Sequence, residues 1–199
     1  VRVERRVPAS IVTGVLSRGA ATLLAVLVLV GCGGSTPTAA PNRNHQVFNP
    51  VDVMFLQMMV PHHGQGIGVV RLAEHRPVRP EVRLLADAIE ATQRHEAGTM
   101  AGWLREWGRP ATAPADSHAA HGGMPATDHG AIEAVAKLSD PEFERGFLNL
   151  LIAHQDDAIQ LARRELKDGR NANVRRIARQ IERSRSAQIR QMVGFLDRN

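Results

Sequence analysis

Asn49–Ala73, NPVDVMFLQMMVPHHGQGIGVVRLA, is an apolar, Met-rich stretch broken by a pair of histidines, His62 and His63. Phe55, Met59, His62, Gly66, Val69 and Ala73 recur at intervals of three and four, the signature of one helix face, so His62 lies inside an apolar stripe. His63 is turned about 100° from His62 on the same helix, so the two rings face different neighbours.

The stretch is used twice. An offset of 92 positions, the step from His62 to His154, also carries Phe55 onto Phe147, Leu56 onto Leu148 and Ile67 onto Ile159. With no gap it continues through Val82 on Val174, Ala86 on Ala178, Ile89 on Ile181, Glu90 on Glu182 and Met100 on Met192. Constant register through two helical segments and the turn between them marks a duplicated helical hairpin. The apolar spacing predicts helices over about 50–75, 80–107, 140–168 and 171–197, with a short one near 131–138. Pro77, Pro80, Gly108-Arg109-Pro110 and Gly169 are the expected breaks, and Ser139-Asp140-Pro141-Glu142 the expected start of the third long helix, with Ser139 as its capping oxygen. Two hairpins, 50–107 and 140–197, joined by the linker 108–139, predict an all-α four-helix bundle within one domain spanning 49–199.

The 199 residues are 43% apolar but only 4% aromatic, with no Tyr, so aliphatic and Met side chains must fill the core. The net charge of +5 is concentrated at the start, where Arg2, Arg5, Arg6 and Arg18 face a single acid, Glu4. The remainder is only mildly basic and names no nucleic-acid partner. Those arginines precede the apolar run Ala20–Val30, too short at roughly 16 Å of helix to cross a ~30 Å hydrocarbon core. Residues 1–31 therefore read as an export signal. Its ending, Leu29-Val30-Gly31-Cys32, resembles a bacterial lipobox, which implies cleavage before Cys32 and lipid attachment to it. Residues 32–48, small, polar and Pro-containing, read as a flexible tether. A single cysteine permits no intramolecular disulfide.

In the second helix Gln93 and Glu96 interrupt the stripe Val82, Leu85, Ala86, Ile89, Met100, Trp103, Leu104. A buried ionised carboxylate is costly unless it is paired or metal-bound. Convergence of His62, His63, Glu96 and Met100, with Gln93 beside them, suits copper best; zinc and iron are alternatives. The plainer alternative is a hydrogen bond between His62 and Glu96 within the core. Pro61 either kinks the first helix to aim the histidines or marks where regular helix begins, and Gly64, Gly66 and Gly68 leave a thin surface for close helix approach. The second hairpin keeps His154 and Met192 but has Gln155, Arg185 and Gln188 where the first has His63, Gln93 and Glu96. Arg185 is expected to pair with Asp156 or Asp157, which places the candidate metal site in the first hairpin. His118, His121, Met124 and His129 in the linker form an accessory metal-capturing tract. Arg175, Arg176, Arg179, Arg183 and Arg190 are expected on a solvated face.

Asp52-x-x-Phe55-x-x-x-Met59-x-x-His62-His63 and Gln93-x-x-Glu96-x-x-x-Met100-x-x-Trp103-Leu104, with their partial second copies, resemble the bacterial "domain of unknown function 305" family. The resemblance covers about residues 49–197. It implies a ferritin-like four-helix fold and, from exported members linked to copper binding and tolerance, a lipid-anchored extracytoplasmic metal-handling protein acting as chaperone, buffer or sink. Its expected partners are the membrane and a metal ion, with another envelope protein as a further candidate. The second function class is a non-catalytic interaction module of the envelope. A di-iron oxidase is disfavoured, because such sites use Glu-x-x-His motifs and this sequence has none. No phosphate loop or Cys-x-x-Cys is present.

Overall fold

The computed structural model describes residues 47–113 and 127–198. The expected export signal 1–31, Cys32 and most of the expected tether lie outside the described residues. Among the described residues five helices are formed: α1 Pro50–Arg71, α2 Pro80–Glu106, α3 His129–Ala136, α4 Asp140–Asp168 and α5 Ala172–Leu196. The helix boundaries agree with the periodicity to within a few residues, the largest difference being the earlier end of α1.

Local chemistry explains the ends. The Asn49 side chain accepts the amides of Val51 and Asp52 at 2.9 and 3.0 Å, while Asp52 reaches back to the Asn49 amide at 2.6 Å, a reciprocal capping box. Pro80 and Pro141 occupy first-turn positions, where a missing amide costs nothing. Gly108, at φ 64°, turns the chain away after α2. One expected cap is absent: the Ser139 hydroxyl donates to Glu142 at 2.8 Å and leaves the α4 backbone amides alone. Pro61 does not start α1; the helix runs unbroken through it.

α1 packs on α2 and α4 on α5, and the hairpins meet chiefly through α1 and α4. Two apolar clusters result. One joins Phe55, Leu56, Met58, Met59, Met100 and Leu104 to Ala158, Leu161, Val174 and Ile181. The other joins Val69, Val70, Val82 and Ile89 to Phe143, Phe147, Leu148, Leu151, Met192 and Phe195. Repeat-equivalent residues fall in opposite clusters, so the bundle has a pseudo-two-fold axis across its middle. Full burial of each large aliphatic or aromatic side chain contributes about 1.5–3 kcal/mol.

The pseudo-symmetry extends to polar ties. Arg71–Glu90 at 2.8 Å in the first hairpin is repeated by Arg163–Glu182 at 3.2 Å in the second. Asp52 of α1 accepts the amides of Arg170 and Asn171 ahead of α5, at 3.1 and 2.9 Å. Its counterpart Glu144 on α4 accepts the amide of Arg79 ahead of α2 at 2.7 Å. Each hairpin thus caps the other. Arg176, Arg179, Arg183 and Arg190 lie exposed along α5, as the sequence predicts, whereas Arg175 is half-buried and donates to the Leu166 carbonyl at 3.2 Å.

The symmetry fails at Glu165, the counterpart of Ala73. Glu165 is fully buried. Burial, and after it the neighbouring Asp52 carboxylate, push its carboxyl up to about 9. The folded protein therefore keeps a proton that the unfolded chain releases near its ordinary value of 4.5, and stability falls as pH rises from the lower value towards the higher. Glu165→Gln is expected to abolish that loss. Thermal midpoints followed from about pH 5 to about pH 8 should decline for the parent protein relative to the variant, and parallel curves would remove Glu165 as the cause.

Candidate metal centre

Between the two apolar clusters lies one polar layer, contributed by all four long helices. His62 and its repeat counterpart His154 meet near the pseudo-two-fold axis, their rings stacked at 4.0 Å between centroids and 16° apart. Both are buried. His62 Nδ1 and Nε2 and His154 Nε2 have no hydrogen-bond partner, while His154 Nδ1 lies 2.8 Å from Thr127 Oγ1. Burial, and then the positive charge that a second protonated ring or Arg185 would place nearby, hold both imidazoles neutral; His154 is lowered to about 3 and His62 also lies well below the ordinary value.

Gly66, one turn beyond His62, explains how these groups converge. A Cβ there would stand 2.2 Å from Gln93 Oε1 and 2.4 Å from His154 Nε2. The amide oxygen and ring nitrogen thus fill the space against bare backbone. Gln93 Oε1 is itself unpartnered, its Nε2 reaching Gln155 Oε1 at 3.4 Å. Gly64 and Gly68 face open space, so only one of the three glycines permits close approach.

The other side of the layer holds a charge cluster. His63 Nε2 is 2.8 Å from Glu96 Oε2, and Arg185 Nη2 is 2.5 Å from the same oxygen, all three side chains being buried. Burial alone would raise the Glu96 carboxyl; the His63 hydrogen bond and Arg185 guanidinium outweigh it and hold the group below the usual carboxylate range. Burial keeps His63 neutral against the pull of Glu96. With Nε2–H donated to Glu96, the Arg185–His63 approach of 3.4 Å joins two donors and is a packing contact. His63 Nδ1 is left without a partner. The second hairpin mirrors this pair with Gln155 donating to Gln188 at 2.5 Å.

One expectation is corrected: Arg185 crosses to Glu96 of the first hairpin and does not pair with Asp156 or Asp157. Within the layer the unpartnered polar atoms are His62 Nδ1 and Nε2, His63 Nδ1, Gln93 Oε1 and Glu96 Oε1 of the first hairpin, with His154 Nε2 and Arg185 Nε of the second. The alternative His62–Glu96 hydrogen bond is not formed, since His63 takes that carboxylate. Met100 and Met192 are buried in opposite apolar clusters on either side of the layer. His129 begins α3 with an exposed ring 3.9 Å from Glu133, and His118, His121 and Met124 lie outside the described residues. Among the described residues no three His, Cys, Asp or Glu side chains stand close enough together to hold a metal ion. The donors that do converge are therefore mixed, two imidazoles and one amide oxygen.

Sequence reasoning missed Thr127 and Gln65. Gln65 Nε2 donates to the Thr127 carbonyl at 2.8 Å and its Oε1 accepts the Thr127 amide at 2.9 Å, which pins the end of the linker over His154. No short motif announces such a tie. Arg185 was legible in principle, since it falls in the buried stripe with Val174, Ala178, Ile181 and Met192.

Similarity to known proteins agrees with this architecture. No curated sequence matches the chain. A DUF305 fragment from Deinococcus radiodurans shares 33% identity and a TM-score of 0.66, covering 76% of this chain and 98% of that one. A DUF305 protein of Streptomyces coelicolor, described as secreted, shares 27% identity and a TM-score of 0.69, covering 74% and 93%. CopM in its Cu(I)-bound form shares 28% identity and a TM-score of 0.62, covering 74% and 96%, and CopM has also been solved with Cu(II), with silver and as the apo protein. Residues 52–196 match the Domain of unknown function (DUF305), and with that span inside a duplicated four-helix bundle the chain belongs to the DUF305 family.

Proposed function

We propose that this chain is a lipid-anchored, extracytoplasmic copper-binding protein, a chaperone, buffer or sink for the ion, with an interior site built on His62 and His154. The observation that carries the reading is the stacked pair itself: two neutral, buried imidazoles whose free nitrogens, together with Gln93 Oε1, lack any partner. Buried polar atoms are seldom left unsatisfied, so this group of them is a candidate for a ligand. Neutral imidazole nitrogen is a good copper donor. With His154 Nδ1–H donated to Thr127, Nε2 keeps its lone pair for the ion, the usual way in which a supporting contact fixes a ligating histidine. His63 and Glu96, already bound to Arg185, lie beside the site in the same layer, and Met100 and Met192 are buried in the apolar clusters on either side of that layer. Similarity to CopM, whose structures hold Cu(I), Cu(II) and silver, supports the choice of metal.

In this reading His118, His121, Met124 and His129 form an accessory capture tract for the ion. Thr127, three residues after Met124 in the sequence, lies with its Oγ1 2.8 Å from His154 Nδ1. No helix among the described residues is long and apolar enough to cross a membrane, and attachment rests on lipid at Cys32. A second reading, an envelope interaction module with an inert polar layer, is favoured by the degree to which Arg185, Glu96 and His63 already satisfy one another.

Anaerobic titration of the untagged chain against a Cu(I) chelator separates the two. His62→Ala combined with His154→Ala should weaken Cu(I) binding by more than about tenfold, the scale on which metal sites respond to lost support. Unchanged binding by the double variant would move copper out of the bundle. Cys32→Ser should leave the expressed protein without lipid mass and shift it from the membrane fraction to the soluble one; continued membrane association would remove the anchor.

A further inference from the structure

We propose that α5 carries a membrane-facing surface: a stripe of Arg176, Arg179, Arg183 and Arg190 that lays the bundle against anionic lipid headgroups. The inference rests on the reading that lipid at Cys32 holds the chain at a membrane, and it adds which face of the domain meets that membrane.

Helical spacing gathers the four. At about 100° per residue they fall within an arc of about 60°, and Arg176 and Arg190 stand roughly 21 Å apart along the axis. All four are exposed, and none makes a hydrogen bond or ion pair among the described residues. The single acid within α5, Glu182, is turned about 100° from Arg183 and is held by Arg163 of α4 at 3.2 Å. The stripe is therefore uncompensated positive charge. Gln180, Ala187 and Gln191 stand beside the arginines with no large apolar side chain, so the face suits headgroups and not an acyl-chain interior. Arg176, Arg179 and Arg183 also line a shallow surface hollow with Gln180 and Ser184. Guanidinium forks, an amide and a hydroxyl are the donors that phosphodiester oxygens accept.

The repeat shows that the fold does not demand these charges. The offset of 92 places Leu84, Asp87, Ala91 and Gly98 of α2 at the four positions. α2 packs within its hairpin as α5 does in the other, without a cation at any of them. The stripe is a property of one side of the molecule, as contact with a planar partner requires.

Connectivity sets the stripe beside the anchor. The chain enters the bundle at the α4–α5 turn: Asn171 Nδ2 donates to the Val47 carbonyl at 3.1 Å, and Asn49 Nδ2 to the Asp168 carbonyl at 2.9 Å. α5 begins at the next residue, Ala172, so the arginines start where the chain arrives. Val47 lies fifteen residues after Cys32, which keeps the lipid within about 50 Å of that turn. An anchor so near raises the local concentration at which weak, reversible headgroup contacts are occupied.

The experiment separates headgroup contact from anchoring by using the full chain with Cys32→Ser, which carries no lipid. Its sedimentation is followed with vesicles of phosphatidylcholine and of phosphatidylglycerol. Binding is expected to phosphatidylglycerol alone, and to weaken as salt is raised. Each arginine near an anionic surface contributes about fivefold in partitioning, so combining Arg176→Gln, Arg179→Gln, Arg183→Gln and Arg190→Gln should lower it by about 100-fold or more. That variant loses no internal contact, and its thermal midpoint should match the parent's. Neutralising as many cations elsewhere, with Arg71→Gln, Arg94→Gln, Lys137→Gln and Arg145→Gln, should change partitioning by much less, which sets the stripe apart from net charge. Equal loss from the two sets, or equal binding to the two lipids, overturns the proposal. So does a Cys32→Ser chain that ignores phosphatidylglycerol while its stripe retains an acidic protein. If the parent carries no lipid yet the stripe binds phosphatidylglycerol, the anchor falls and the surface stands. If the parent is lipidated and the stripe variant partitions as the Cys32→Ser chain does, the surface alone falls.

Discussion

A carboxylate at the centre of an aliphatic bundle imposes the constraint around which the interior is arranged. Glu96 is buried among aliphatic side chains, and an ionised oxygen in that setting must be met by donors. His63 and Arg185 meet it at 2.8 and 2.5 Å from two different helices. Neither contact can be given up cheaply, since breaking one partner of a buried pair costs about 3–5 kcal/mol. The pairing therefore fixes how the second hairpin lies on the first, and it divides the apolar core into two clusters that never merge.

What remains after that demand is met is what gives the layer chemical interest. His62, His154 and Gln93 are as deeply buried as Glu96, yet several of their polar atoms find no donor or acceptor. The contrast lies between neighbouring groups in one layer: Glu96 Oε2 is met by two donors on one side, and the His62 and His154 Nε2 lone pairs and Gln93 Oε1 are left open on the other. Gly66 makes the open side compact, because any side chain there would fall on the Gln93 oxygen and the His154 nitrogen.

Much of this was legible in the chain. The spacing of Phe55, Met59, His62 and Gly66 and the repeat at His154 suffice for four helices, two hairpins and a polar interruption at mid-bundle, because periodicity reports burial directly. Membership of the stripe also placed Gln93 and Glu96 inside. Partner choice was not legible. Side chains such as Arg185 reach far enough to cross between helices, so sharing a hairpin with Asp156 and Asp157 misled where buried charge balance decided. His62 and His63 were separable by their angle on the helix, but which of them would meet Glu96 depended on the rotation of α1 against α2, which no spacing specifies. Thr127 was hidden because a tie from a linker to a core ring leaves no periodic trace.

The exchanged carboxylates at the hairpin ends carry an evolutionary consequence. Asp52 covers backbone amides that precede α5, and Glu144 covers those that precede α2, so neither half completes its own helix starts. A solitary hairpin would carry both the acid and the uncovered amides, and two identical copies would complete each other about a true dyad. The present chain thus has the form of two such copies joined end to end, and being one chain it need not keep both halves alike: one half carries the Arg185 guanidinium where the other has the Gln93 amide.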